Sequence, residues 1–192
     1  MSKDKLYNIL LSDDVVTAIN DNLDVVLNLI PELKKIIGFD HRHPHHHLDV
    51  WNHTLLALSY SQRDFDIRVV LLLHDIGKPH VYQDEEVRHF RGHPKMSAEM
   101  SFNILKRLKF SDEEVFKLCY LIEQHDTPIT DEEIINNREL TLMKFKTQYC
   151  DALAHNPLKL EKRIKYLLDI NEKINSEKEK DKCKKLISKF CK

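Results

Sequence analysis

The sequence predicts an all-α protein folded as a single domain. Only 3 of its 192 residues are glycine, whereas glycine makes up about 7% of average proteins. Apolar residues recur at helical spacing in one segment after another, and capping signals precede several of these segments. With 42% hydrophobic residues, the chain can bury one sizeable core, and nothing in it requires a second domain.

The helical periodicity places the main elements along the chain. Helices are predicted over residues 12–37, 49–60, 66–76, 94–108, 111–124 and 140–154. Two capping boxes mark helix starts, because Ser111 is followed by Glu114 and Thr130 by Glu133. Pro31 is expected to break or kink the first of these helices.

The remaining segments frame a central core. Residues 3–37 are interpreted as scaffold helices, and residues 48–154 as the core that carries the chemistry. For residues 78–92 a short hairpin and a plain loop both fit the alternation and the acidic turn. Residues 158–192 read as an amphipathic and then strongly charged helix, most simply a solvated one.

Charge and hydropathy exclude several classes of protein. The 30 Lys and Arg nearly cancel the 31 Asp and Glu, so a long nucleic acid is not indicated as a partner. The longest apolar run, residues 69–73, is far shorter than the ~20 residues that span a bilayer. The N-terminus lacks the apolar core of a signal peptide, so we expect a cytoplasmic protein without a membrane partner. The sequence does not predict an oligomeric state.

The cysteines are expected to be free thiols. They show no CxxC spacing, and scattered cysteines in a reducing compartment are usually packed or exposed rather than paired. The four are Cys119, Cys150, Cys183 and Cys191.

The segment LLLHDIGKP carries the first sign of chemistry. It places His74 and Asp75 side by side at the end of a helix that is apolar on nearly every side. Such a pair gives one metal ion a nitrogen and an oxygen ligand from a single rigid element. Burying an unpaired carboxylate costs on the order of several kcal/mol. A bound divalent cation would compensate for this cost. The alternative is a packed core histidine bonded to Asp75 or to a main-chain carbonyl.

Further histidines and an aspartate extend this hypothesis. His53 and Asp151 lie in segments with helical spacing, so a compact helical domain could bring them to His74 and Asp75. His93 and His125 each stand at a helix end, from which a side chain can reach across a cavity. If both meet Asp75, they would hold a second ion bridged by that carboxylate. Solvent-exposed histidines at helix ends are the alternative.

Several cations accompany the predicted site. Lys78, one turn beyond Asp75, could bind a phosphate oxygen or protonate a leaving group, or it could be a C-terminal lysine favoured by the helix dipole. The loop HRHPHHH invites reading as a metal-binding tract, but we favour a mobile loop at the pocket rim, with His46 or His47 as a phosphate contact. Further phosphate contacts could come from Arg88, His89 and Arg91, while two histidines are expected at the surface, His80 and His155.

These residues carry a resemblance to a known family. His53, the His74–Asp75 pair and Asp151, in this order on a helical chain, resemble the metal signature of the HD-domain phosphohydrolase superfamily. The segments DVWNHTLLAL, LLLHDIGKP, HFRGHPKMSAE, ILKRLKFS and LIEQH resemble the HD domain attached to bacterial tRNA nucleotidyltransferases. His93 and His125 fall where dinuclear HD proteins carry additional histidines.

The resemblance implies an all-helical HD-domain bundle and a site for one or two divalent ions, drawn from Fe, Mn, Co, Ni, Zn and Mg. It also implies hydrolysis of a small phosphoester, in the first place a nucleotide, as a phosphatase or phosphodiesterase. Asp75 would orient the attacking water and Lys78 would assist at the phosphate or the leaving group.

Departures from the family pattern narrow this expectation. Lys78 stands where HD nucleoside monophosphatases carry glutamate, and no Gly-Tyr-Pro run accompanies the site. The glycine-serine motif with paired aspartates of a nucleotidyltransferase does not precede the domain, so tRNA end synthesis is not predicted. A non-catalytic module that binds a metal or nucleotide for regulation is the alternative function.

Overall fold

The protein is helical throughout the part that the computed structural model describes, which is residues 2–190, with side chains for residues 2–176. The predicted all-α class is confirmed, and no strand occurs in that range. The helices in chain order are α1 (Ser2–Leu10), α2 (Val15–Asp21), α3 (Leu23–Leu29), α4 (Val50–Ser59), α5 (Phe65–Leu73), α6 (Lys78–Val81), α7 (His93–Arg107), α8 (Asp112–Glu123), α9 (Asp131–Asn136), α10 (Arg138–Leu153) and α11 (Glu161–Phe190).

Three predictions at the C-terminus fall outside what the structure describes. The solvated face expected for the tail depends on side chains beyond residue 176, as does the free thiol expected at Cys183. Cys191 lies outside the described residues altogether. Among the described cysteines, Cys119 and Cys150 are free thiols.

Local capping sets where several helices begin. Both predicted capping boxes are confirmed: at the start of α8, Ser111 and Glu114 bond each other's main-chain N–H groups, and Thr130 and Glu133 do the same at α9. An aspartate side chain accepts a main-chain N–H at the start of α2, α4 and α5. Such caps satisfy donors that the first helical turn leaves without partners.

The N-terminal scaffold is divided more finely than its periodicity predicts. Where one helix with a break at Pro31 was expected over residues 12–37, the chain forms α2, α3 and a 3-10 helix, Pro31–Lys35. Asn22 ends α2 and precedes α3. Pro31 does start a new element, because its ring fits the first position of a helix, where no N–H is needed.

The central helix α5 ends sooner than predicted. The helix expected over residues 66–76 stops at Leu73, so His74 and Asp75 lie in the turn that follows. In this turn Ile76 N–H bonds Leu73 O and Lys78 N–H bonds Asp75 O, and α6 then begins with a proline in its first turn. Residues 67–78 are all buried, as predicted for the centre of the domain.

The segment after this turn is mainly a loop, one of the two forms that the sequence allowed, preceded by a helical turn that was not predicted. Residues 78–81 form the single turn α6, and a loop closed by one antiparallel bridge between Gln83 and His89 follows. Gly92 then has a φ of +81° directly before α7, a conformation that favours glycine. The loop therefore leads directly into α7, whose first residue is His93.

Two apolar clusters hold the helices together. The larger cluster takes side chains from α1 to α5, α7, α8 and α10, with α5 buried among them. A smaller cluster attaches α11 by Ile170 and Ile174 to Ile129 and Ile134, around α9. In the described part of the chain, no helix is both long and apolar enough to cross a membrane.

Candidate metal centre

Four helices and a turn bring the predicted ligand residues to one place. His53 comes from the first turn of α4, Asp151 from the last turn of α10, and the His74–Asp75 pair from the turn after α5. The two further histidines stand at the start of α7 and just beyond α8, which are His93 and His125. All six are buried, with side chains between 0 and 10% exposed.

The first half-site gathers around one face of Asp75. His74 Nε2 lies 3.3 Å from Asp75 Oδ2, and His53 Nε2 lies 3.7 Å from the same oxygen. Asp151 Oδ1 lies 3.0 Å from His53 Nε2 and 3.6 Å from His74 Nε2. One atom each from His53, His74 and Asp75 lies within 4.8 Å of the others, so two imidazoles and two carboxylates converge.

The second half-site uses the other oxygen of Asp75. His93 Nε2 is 3.2 Å from Asp75 Oδ1, and His125 Nε2 is 4.0 Å from it. The two Nε2 atoms are 3.2 Å apart, and one atom from each of these three residues again lies within 4.8 Å of the others. Asp75 thus stands between two histidine pairs with one oxygen toward each, which is the arrangement of a bridging carboxylate.

The four histidines are oriented alike. In each, Nδ1 lies against a main-chain carbonyl and Nε2 faces the carboxylates; the partners are His53 with Ala154 (3.2 Å), His74 with Leu71 (2.7 Å), His93 with Phe90 (2.9 Å) and His125 with Ile122 (2.6 Å). Since a carbonyl only accepts, Nδ1 carries a hydrogen in each ring, and Nε2 is the nitrogen turned toward the centre. Histidines that bind metals are typically held in this way.

The polar atoms at the centre call for a cation. His74 Nε2 and Asp75 Oδ1 are buried without a hydrogen-bond partner, which is costly unless something compensates them. Burial acts to lower the pKa of His74, but the carboxylates of Asp75 and Asp151 outweigh it and raise the pKa to about 10. The cluster therefore attracts positive charge at this nitrogen, and its imidazoles and carboxylates fit a divalent transition metal.

Lys78 is part of the centre rather than of its rim. Its side chain is buried, and Nζ donates to Asp75 Oδ2 at 2.7 Å. Nζ also lies 3.0 Å from His41 Nε2, whose ring donates from Nδ1 to Leu48 O. Burial, together with the charge of Lys78, lowers the pKa of His41 to about 4, so this ring is neutral and accepts from the ammonium group.

A cavity of about 370 Å³ opens at the cluster, and four of the six predicted ligands line it: Asp75, His93, His125 and Asp151. Lys78, Arg88 and Arg91 are among the other residues of its wall. The guanidinium of Arg88 is already engaged, because it lies 4.9 Å from the ring centres of Phe39 and Tyr82 and donates to Asp40 O. Two of the cations that line the cavity, Lys78 and Arg88, are thus held in place by contacts with other side chains and with the main chain.

The histidine loop borders the cavity. His41 is buried, and His46 stacks on it with ring centres 3.7 Å apart. His46 and His43 line the cavity, whereas His47 is exposed and is not among the lining residues. Burial, followed by the charge of Lys78, lowers the pKa of His46. The proposed phosphate contact in this loop therefore rests on His46 rather than His47.

One surface prediction holds and another is wrong. His80 is exposed, as expected. His155 lines the cavity instead, with 13% of its side chain exposed, and its Nδ1 donates to Asp151 O at 2.8 Å. Its position one helical turn after Asp151 could have indicated this, since residues four apart share a helix face.

Two charged residues of the site were not foreseen. Arg163 of α11 places its guanidinium 2.8 Å from Asp151 Oδ2. Asp126 Oδ2 lies 3.5 Å from His93 Nε2 and 3.8 Å from His125 Nε2. The sequence does hold a signal for Asp126, because His125 and Asp126 form a second His–Asp pair, whereas nothing local distinguishes Arg163 from the other basic residues of its segment.

The fold and the cluster agree with comparisons to known proteins. The family model described as HD domain matches residues 45–174, which is more than half of the chain. The chain therefore belongs to the HD domain family, as its resemblance predicted. Membership implies binding of a divalent metal, and the His and Asp cluster is compatible with it.

Two tRNA nucleotidyltransferases are similar over part of their length. The A-adding enzyme of Deinococcus radiodurans is 32% identical over 133 residues, and the CC-adding enzyme of Thermus thermophilus is 31% identical over 133 residues. Each match covers 64% of this chain but only 30% of the relative. The similarity thus concerns a segment of these enzymes and does not extend over most of their length.

Proposed function

We propose that the protein is a metal-dependent phosphohydrolase that acts on a nucleotide or another small phosphoester. The observation that carries this proposal is the pair of half-sites that share Asp75 beneath a cavity. The volume of about 370 Å³ falls in the range of small-molecule sites, about 300–1,000 Å³. Lys78 and Arg91 add positive charge to the wall, which suits a phosphate group.

Bound divalent ions would supply Lewis-acid activation of a phosphate oxygen and of the attacking water. His53, His74 and Asp151 would hold one ion, and His93 and His125 the other. Asp75, with an oxygen facing each half-site, would bridge them and orient the water. Lys78 would place its ammonium, which lies beside Asp75, next to the phosphate or the leaving oxygen.

The relatives leave the reaction open. Their names describe nucleotide addition to tRNA, and the matched segment is 30% of their length, so a nucleotide or an RNA end is a reasonable substrate to include in the first assays. We propose hydrolysis rather than nucleotide addition because the clustered imidazoles and carboxylates would bind the ions, and Asp75 would orient the attacking water.

The decisive experiment assays the purified chain with Mn, Co, Ni or Mg against phosphomonoesters, phosphodiesters and 2′,3′-cyclic nucleotides. Hydrolysis is expected in the native protein and should be lost in His74→Ala and in Asp75→Ala. His80→Ala, an exposed histidine outside the cavity, is the matched control and should retain full activity. Bound metal without turnover of any substrate would refute the catalytic proposal.

One contact favours the second candidate, a non-catalytic module that binds metal or nucleotide. Lys78 Nζ lies 2.7 Å from Asp75 Oδ2, so an ion at the first half-site must share that oxygen with an ammonium group. Thermal stabilisation by nucleotides without their hydrolysis would support this candidate. Loss of the stabilisation in Lys78→Met would show that the cavity is where they bind.

A further inference from the structure

We propose that Asp126 is a ligand of the second half-site, so that the ion held by His93 and His125 depends on a carboxylate that the first ion does not use. The inference deepens the proposed two-ion site and rests on it. Asp126 follows His125 directly, in the turn after α8. This places a second carboxylate beside the histidine pair.

The geometry supplies four donor atoms. Asp126 Oδ2 lies 3.5 Å from His93 Nε2 and 3.8 Å from His125 Nε2. Asp75 Oδ1 lies 3.2 and 4.0 Å from the same two nitrogens. Two imidazoles and two carboxylate oxygens match the ligand number of a four-coordinate site. Without Asp126, the second half-site would have only three protein ligands, one of them shared.

The carboxylate of Asp126 is accessible from the cavity. Its side chain is 40% exposed and lines the cavity together with Asp75. Its other oxygen, Oδ1, faces Arg163 at 3.7 Å, a looser contact than the 2.8 Å between Arg163 and Asp151. Arg163 therefore holds Asp151 firmly while leaving the inner oxygen of Asp126 directed at the two histidines.

The charges of the centre indicate that Asp126 affects binding of the second ion in particular. The buried carboxylates of Asp75 and Asp151 are already matched by the ammonium of Lys78 and the guanidinium of Arg163. Two divalent ions about 3.5–4 Å apart repel each other strongly in such a site. A further carboxylate on one side lowers this repulsion where the second ion binds. We therefore expect Asp126 to control the second ion more than the first.

The test is ion stoichiometry, measured by calorimetric titration of the chelator-stripped full chain with Mn²⁺. The native protein is expected to bind two ions. Asp126→Asn should retain the first at near-native affinity and weaken the second at least about tenfold, at the lower end of effects seen for groups around metal sites. Asp126→Ser should behave in the same way. Asp131→Asn is the control, because Asp131 is exposed and its carboxylate pairs with Lys173; this variant should bind ions as the native protein does.

His53→Ala provides the opposite pattern, because it removes a ligand of the first half-site only. Circular dichroism establishes that each variant is folded, and the Ser variant decides the matter if the Asn variant is not. Two ions bound with unchanged affinities in both Asp126 variants would overturn the inference, as would equal weakening of both ions or a native protein that binds only one. The titration contains no substrate, so its result does not depend on catalysis. Failure of the phosphohydrolase proposal would appear in the activity assay instead, as a protein that binds ions but turns over no substrate.

Discussion

The substitution Gly77→Ala tests how the turn after α5 holds the two half-sites together. Gly77 has φ −80° and ψ −17°, values that alanine adopts freely. An added Cβ would nevertheless lie 2.6 Å from the main-chain N of Ser97 and 3.0 Å from the carbonyl O of His93. Because both are main-chain atoms of α7, the helix itself must move, and with it the imidazole of His93.

The expected loss of stability follows from these contacts. Forcing a methyl group into a packed interior costs about 1–3 kcal/mol. The shift also weakens the hydrogen bond from Gly77 N–H to Ser97 Oγ, now 2.9 Å, which is worth about 0.5–1.5 kcal/mol. Reduced freedom of the unfolded chain returns about 0.4–1 kcal/mol. The net loss is about 0.5–4 kcal/mol, or a fall in Tm of roughly 1–16 °C for a chain of this size.

Urea and thermal unfolding of the native protein, Gly77→Ala and Ser97→Ala measure this effect. Ser97→Ala removes only the hydroxyl, so its loss should be the smaller. Gly38→Ala is the control, because Gly38 has φ +70° but no atom within 4 Å of the added Cβ; it should cost about 1–2 kcal/mol and leave ion binding unchanged. Gly77→Ala with native stability and native ion binding would refute the reasoning.

Two further predictions concern buried polar groups. Lys144 is 1% exposed, and its Nζ donates to Glu133 Oε1 at 2.8 Å and to Pro128 O at 3.2 Å; Lys144→Ala should lower the free energy of unfolding by about 1.5–3 kcal/mol, and an unchanged urea midpoint would contradict this. Burial, aided by the charge of Lys78, lowers the pKa of His41 to about 4, so its stabilising contribution is present above pH 6.5 and is lost as the pH falls toward 4. When the pH is lowered from 7.5 to 5, the urea midpoint should therefore fall less in His41→Gln than in the native protein. Equal decreases in the two proteins would show that His41 is not responsible.

Local patterns predict the fold class and the helix starts well. Helical spacing and capping boxes involve residues within a turn or two of one another, so the signals at Ser111 and Thr130 needed no knowledge of the rest of the chain. The predicted end of α5 is wrong because it, too, rests on the local pattern alone. Its apolar pattern continues through Ile76, whereas the helix stops at Leu73, and the close approach of α7 to Gly77 is invisible in the local sequence.

The candidate site is partly readable because its chemistry is unusual for its surroundings. His74 and Asp75 attract notice as polar residues in an apolar segment, and the structure brings the other predicted ligands to them. Arg163 could not be placed in this way, since basic residues in a charged or amphipathic segment are usually solvated. Its position follows from the packing of α11, which depends on contacts between distant parts of the chain.

The central claim is that Asp75 stands between two metal ions. Anomalous X-ray diffraction from crystals grown with Mn²⁺ tests it most directly, because it gives the number, identity and ligands of the ions together. We predict two peaks about 3.5–4 Å apart, one beside His53 and His74 and the other beside His93 and His125, with Asp75 between them. No peak at Asp75, with Lys78 still bound to its Oδ2, would contradict the account.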